Sequence, residues 1–450
     1  MIRVLFIILF PILYLVNISD NSQSENMGSI LYHGRNNSFV IKVYNATGFT
    51  VTLPLTNSGG YVYNFRVNWG DGSAISTITS ATDADRIHAY ASGGTYTIVM
   101  VGKIDGWNGN GTGMKEYLIE VVSWGNNTFK TISMLSCAKL VSTHGKLKTS
   151  TTTFQSLFQY CSLLESVDCD DWDVSTVTNM GGTFSGCTKL TSAGVAGVSN
   201  WNVSNITTFG STVGGGWGMF ANCTTLTSLD LSDWTFSSSS SFTMESMFYN
   251  CTKLTTIGDV SGWNMNKCIV LGNTFQNCNA LITLDVSTWD VQNVTNFVST
   301  FYDCRVITTL DVSGWNVTKG TSMQTMFYNC DGLTSLDLSA WVLNTTSALS
   351  LNGTFYHCSN LTTIGDVSGW NTIQVTNLSN TFADCAKITD ASIAYVSGWD
   401  TQNVTNMAST FARCVLLNTI DVSGWNVAKC TNFGTTTGGG WGMFIGCTAL

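Results

Sequence analysis

Between residues 154 and 450 the apolar positions return in a fixed order, and that order repeats along the chain. An apolar residue, a Phe and a Cys fall at i, i+4 and i+7, as in Met180/Phe184/Cys187, Met323/Phe327/Cys330 and Met407/Phe411/Cys414. This spacing places three side chains on one stripe of a helix, so the pattern predicts a short helix in each unit. Val-Thr-Asn precedes it at Val294 to Asn296 and Val404 to Asn406, with Thr and Asn suited to cap the first turn. After the Cys comes L-x-x-L-D-V-S-x-W, as in Leu281 to Trp289, where Leu284 and Val286 alternate with Asp285 and Ser287. That alternation predicts a short strand with one buried face.

The F-x-x-C frame recurs from Phe158/Cys161 to Phe444/Cys447, with successive cysteines 26 to 36 residues apart. Extra residues enter at few places, such as Gly258 and Gly365 before an Asp, or T-T-G-G-G-W-G before Met443. Insertions confined in this way mark loops between fixed elements. One helix and one strand per unit of about 26 residues cannot bury their apolar faces alone, whereas stacked units can. The expected architecture of 154–450 is therefore an α/β solenoid of about 11 units, with short parallel strands on one face and helices on the other.

Ahead of the repeats the period changes. F-V-I-K-V-Y, F-T-V-T-L-P-L, Y-V-Y-N-F-R-V-N-W, T-Y-T-I-V-M-V and Y-L-I-E-V-V lie between Phe39 and Val122 and read as strands of an all-β immunoglobulin-like sandwich over 37–125. Residues 126–153, with F-K-T-I-S-M-L-S-C-A-K-L, read as a degenerate capping repeat. Arg3 followed by an apolar run from Val4 to Val16 makes 1–26 a signal peptide or leader.

The frame C-x-x-L-T-x-L-D-V-S-x-W-N-V-x-x-V-T-N-M-x-x-T-F resembles the BspA-like leucine-rich-repeat surface proteins and the related repeats of mycoplasma surface lipoproteins. The resemblance covers about two-thirds of the chain and implies a leucine-rich-repeat solenoid exposed at a surface, with an adhesive or recognition role. No Cys precedes Cys137, so a lipoprotein anchor near the N-terminus is not expected. Asn68 to Ser73, N-W-G-D-G-S, with His88-Ala89-Tyr90 and Gly94-Thr95-Tyr96, is similar to the PKD domain. That likeness implies an extracellular spacer with Tyr90 and Tyr96 in its core.

Composition narrows the function. Charged residues are only 10% of the chain, the net charge is -9 and Lys and Arg number 19, which argues against nucleic acid as a partner. The four His stand in unrelated contexts, and no phosphate loop, nucleophile elbow or metal-ligand spacing is present, so no enzyme, metal or cofactor is expected. Most of the 15 Cys share one slot of the repeat and read as buried thiols; Cys169, Cys268 and Cys430 fall outside it and are the better candidates for reactivity.

Ten Trp recur at one phase, from Trp172 to Trp425, and read as core. Trp217 and Trp441 instead sit in G-G-G-W-G-M-F insertions and are candidate contact residues. Asp recurs four residues before most of the phased Trp; Asp230, Asp285, Asp311 and Asp337 of this row are candidate partner-binding residues. Stacked carboxylates need relief, either by Asx-turn hydrogen bonds or by Ca²⁺ or a cationic partner. Sequons at Asn202, Asn293, Asn316 and Asn403 follow from the composition.

The expected function is an extracellular or cell-surface adhesion protein that recognises a host or neighbouring-cell protein or glycan through the concave face and rim loops. The alternative is a structural part of a virion fibre or extracellular filament, and apolar rows open at Leu450 favour self-association.

Overall fold

The computed structural model describes residues 37–110, 113–210, 217–237, 239–434 and 442–450. The leader and its apolar run, and Trp441, lie outside the described residues. No helix among the described residues is long and apolar enough to cross a membrane.

The alternating N-terminal runs form strands β1 (Phe39–Asn45), β2 (Phe49–Thr52), β3 (Tyr63–Asn68), β4 (Ser76–Ile78), β5 (Ile87–Tyr90), β6 (Gly94–Ile104), β7 (Gly106–Asn108) and β8 (Leu118–Ser123). Strands β8, β1, β6, β3 and β4 pair in that order as an antiparallel sheet, and β2 pairs with β5 apart from it. Aromatic rings fill the space between, with Phe49 4.7 Å from Tyr90 and Tyr90 4.1 Å from Tyr96. Trp69 stacks on His88 at 4.7 Å, and the Tyr90 hydroxyl donates to the Trp69 carbonyl at 2.8 Å. Burial alone would raise the Asp71 carboxyl, but hydrogen bonds from Ser73 and His88 outweigh it and hold the group at about 2.

The main sheet continues beyond this unit. Ser142–Thr143 pairs parallel with β8, and Ser166–Val167 pairs parallel with Ser142–Thr143. The outer edge of β8 is thereby occupied by the repeats, which removes an open strand edge at the junction. The Met134–Cys137 turn joins the same stack, because the Cys161 thiol donates to the Met134 carbonyl at 3.1 Å.

From Phe154 onward the chain is a β-solenoid, which overturns the expected α/β leucine-rich-repeat architecture with helices on one face. The helical elements among the described residues are short 3-10 turns, such as Ala193–Asn200 and Ala394–Gly398. In place of a helix, the Phe297 to Cys304 segment makes linked four-residue turns. The N–H groups of Thr300, Tyr302 and Cys304 donate to the carbonyls of Phe297, Ser299 and Phe301 at 3.3, 3.2 and 3.2 Å. Those of Ser299, Phe301 and Asp303 donate instead to Gln324, Met326 and Tyr328 of the next coil at 2.9, 2.9 and 2.7 Å.

Ser299 and Asp303 have φ of 53° and 63°, the left-handed value that a type II turn requires at its third residue and that a right-handed helix excludes. Two such turns bring side chains inward at steps of four and three residues, so Phe297, Phe301 and Cys304 reproduce the helical spacing without a helix. The polar residue before the repeat Cys, as at Asn250, Asn277, Asn329 and Asp384, tolerates this conformation better than a branched apolar one.

The Val-Thr-Asn segment is also reassigned. Its last position forms the parallel ladder, which runs through Val270, Asn296, Ser322, Ser350, Asn377, Asn406 and Asn432. The Asn side chain still caps a turn, since Asn296 Oδ1 accepts from the Val298 N–H at 2.9 Å. Where a strand was expected, the alternation of burial holds, with Leu284 and Val286 buried and Asp285 exposed. Among the described residues the backbone there makes isolated bridges, such as Ser228 with Thr256 and Ser335 with Thr363, beside the two-residue ladder at Ser166–Val167.

The interior is a set of columns. Phe275, Phe301 and Phe327 stack at 5.8 and 5.7 Å, and Trp263, Trp289 and Trp315 at 5.7 and 6.2 Å. Each buried aromatic contributes about 1.5–3 kcal/mol by removal from water. The indole N–H of Trp289, Trp315 and Trp341 donates to the carbonyl of Val260, Val286 and Val312 in the preceding coil at 3.0, 3.0 and 2.8 Å. Columns and backbone are therefore tied coil to coil by the same residues.

Candidate binding face

Each regular coil turns a corner at D-x-S, and the candidates Asp230, Asp285, Asp311 and Asp337 stand exposed there. Their Oδ1 atoms accept from the backbone N–H of Ser232, Ser287, Ser313 and Ser339 at 3.2, 3.0, 3.0 and 3.0 Å. The same serines donate their hydroxyls at 2.6 to 2.7 Å. Hydrogen bonding from Ser232 and Ser339 holds the carboxyls of Asp230 and Asp337 below the usual carboxylate range. The row is thus built from Asx turns. Among the described residues no group of three His, Cys, Asp or Glu is placed to hold a metal ion.

Trp217 is 41% exposed, as expected of a contact residue, but it lies on the turn side of the coil, with its ring 6.5 Å from Tyr249. The four Asp share one corner of the stack, and Trp217 does not join them. The phased tryptophans are all buried.

All 15 cysteines are unpaired. Of the three that read as the better candidates for reactivity, Cys169 and Cys268 are buried, and burial pushes both thiols up to about 12, which disfavours the thiolate. Cys430 is half-buried.

Two surface depressions escaped the reading of the sequence. One, of about 520 Å³, is lined by Ala193, Ala196, Ser199, Ser228, Asp230 and Thr256, with Gly258 at its edge. The other, also of about 520 Å³, is lined by Thr363, Gly365, Asp366, Ser368, Ala394 and Tyr395. Each lies beside a coil in which a 3-10 turn, Ala193–Asn200 or Ala394–Gly398, replaces the plain L-D-V run. The signal was present as T-T-I-G-D-V-S-G-W, identical at Thr255 to Trp263 and Thr362 to Trp370. The added glycines have φ of 85° and 79°, and a Cβ on either would come within 2.6 or 2.7 Å of the Oδ1 of Asp230 or Asp337. Glycine is required at both points by conformation and by space.

The corner can therefore offer carboxylate and hydroxyl groups over a small apolar floor, in rows one coil apart. No curated protein matches the chain. Three stretches, residues 152–281, 242–363 and 349–438, match the family described as Mycoplasma protein of unknown function, DUF285. These stretches together cover more than half of the 450 residues and coincide with the β-solenoid, and the chain belongs to that family.

Proposed function

We propose that this chain is a surface-displayed or secreted recognition and adhesion protein, without catalytic activity, that binds a protein or glycan through the outer corners and rim loops of its coils. The observation that carries this reading is the division of labour within the coil. Phe, Cys, Leu and Trp turn inward, while Asp, Ser and Thr return at the D-x-S corner of successive coils. A solenoid of this kind offers many equivalent contacts along one line.

In this reading the repeats are relatives of the BspA-like surface proteins and mycoplasma surface lipoproteins, and the N-terminal unit is a PKD-like spacer. The apolar run of residues 4–16 serves export, and the partner is a protein or glycan of a host or neighbouring cell. The Mycoplasma-type family supports a surface location. Fluorescently labelled full-length chain applied to glycan and surface-protein arrays tests the proposal. Saturable binding to a defined glycan or protein supports it, and uniformly blank arrays would overturn it.

A further inference from the structure

We infer that the two depressions are paired subsites for neutral sugar residues, an inference that rests on the recognition role proposed above and names its ligand class. The first argument is recurrence. Two places in the stack bring a T-T-I-G-D-V-S-G-W coil and a 3-10 insertion of the form T-x-A-x-x-A-x-V-S-x-W to one hollow, Thr191 to Trp201 lying two coils before Thr255 to Trp263 and Thr389 to Trp399 one coil after Thr362 to Trp370. The two cavities have the same volume, about 520 Å³. In each hollow a glycine-bearing coil, an exposed Asp and an inserted turn meet, the Asp coming from the intervening coil at Asp230 and from the glycine-bearing coil itself at Asp366.

The second argument is the chemistry of the walls. In each depression an Asp of the corner row uses Oδ1 for its Asx turn, at 3.2 Å for Asp230 and 3.0 Å for Asp366, leaving Oδ2 to accept from a ligand. Thr256 and Thr363 accept the N–H of Gly258 and Gly365 at 3.1 and 3.0 Å, and each hydroxyl retains a hydrogen that it can donate to a ligand. Ala193 and Ala196 in one depression, and Ala394 with the Tyr395 ring in the other, supply apolar floor. Alternating hydroxyl donors and acceptors on one edge and C–H surface on the other is the signature of a pyranose ring. The carboxylate disfavours acidic sugars by charge repulsion.

The spacing adds a third element. Thr256 and Thr363 stand four coils apart, which at about 4.8 Å per coil is roughly 20 Å. One glycan of several residues can therefore engage both, and the second contact gains from the high local concentration set by the first.

The experiment is saturation-transfer NMR on the full chain, using methyl glycosides of glucose, galactose, mannose and N-acetylglucosamine, with methyl glucuronide as the acidic control. Transfer to at least one neutral glycoside and none to the glucuronide is expected. The double variants Asp230→Asn/Asp366→Asn and Thr256→Val/Thr363→Val should each weaken that binding by about tenfold with unchanged melting, because the Asn amide oxygen keeps the Asx turn. Absence of transfer from every neutral glycoside, equal transfer to the glucuronide, or full binding in folded double variants would overturn the assignment. Array binding to proteins alone would sink the sugar subsites and leave the recognition role standing, whereas blank arrays would remove that role.

Discussion

The thiol of Cys358 donates a hydrogen bond to the carbonyl oxygen of Phe327, 2.9 Å away in the preceding coil. The same bond joins Cys304 to Phe275 and Cys330 to Phe301, at 3.2 and 3.1 Å. A cysteine at this slot fills space as a small apolar side chain and also gives a second donor to a backbone carbonyl that already closes the turn of its own coil.

This arrangement makes the fold sensitive to alkali. Burial pushes the thiols of Cys251 and Cys358 up to about 12, against an ordinary value near 9. The neutral thiol is favoured in the folded state, so its contribution to stability is fully present below pH 9 and is lost as pH climbs from 9 towards 12. Denaturant midpoints should be level from pH 6 to 8 and fall steeply above about 9. A flat profile to pH 11 would contradict the buried column. Thiol labelling of the folded protein should reach only the half-buried Cys430 and Cys447.

The indole column is expected to carry two separable contributions. Trp315→Phe keeps most of the ring but removes the N–H that bonds the Val286 carbonyl, and should cost about 1–2 kcal/mol. Trp315→Ala also leaves a cavity and should cost about 3–5 kcal/mol. Equilibrium urea unfolding of the two variants measures both, and equal losses would mean that the Trp315 ring does not pack in the column.

Asn277 sits before a repeat Cys with φ of 62°. Asn277→Gly should change stability little, because glycine reaches this region freely. Asn277→Val should lose about 1–2 kcal/mol or more, since a β-branched side chain resists the left-handed conformation. In a helix the order would reverse, with Val tolerated better than Gly. Thermal melting of the pair thus distinguishes the turn solenoid from the helical alternative.

At Asp311 the contribution belongs to geometry more than to charge. Asp311→Asn retains the acceptor for the Ser313 N–H and should be nearly neutral, whereas Asp311→Ala should cost about 1 kcal/mol. The carboxyls of Asp259 and Asp421, held low by Ser261 and Ser423, favour the fold above the unfolded carboxylate range and lose that effect as pH falls from there through their lowered folded values. A shallow loss of melting temperature below about pH 4 is the expected readout. Stabilisation by Ca²⁺ equal in wild type and an Asp311→Ala/Asp337→Ala variant would place any ion binding elsewhere.

Much of the molecule was legible in its residues. The phase of Phe, Cys, Leu and Trp identified stacked units with those side chains inside, and the alternating runs marked five strands of the N-terminal unit. The Asx turn at each exposed Asp followed from the Ser two residues on. The secondary structure was not legible, because a pair of four-residue turns and a helix give Phe297, Phe301 and Cys304 the same spacing. The sign of φ distinguishes them, and only the run of Asn, Asp, Ser and Gly at the third turn position hinted at it.

The candidate site shows the same division. Sequence located Asp230, Asp285, Asp311 and Asp337 and the extra glycines Gly258 and Gly365, since a repeat exposes its own exceptions. It could not place Ala196 in one hollow with Asp230, or Tyr395 in one hollow with Asp366, because those residues come from different coils about thirty positions apart. One-dimensional periodicity determines which side chains face the interior, since burial is set within each coil. Which coils meet, and what hollow they leave, depends on how inserted turns such as Ala193–Asn200 pack on their neighbours, and the tertiary structure alone decides it.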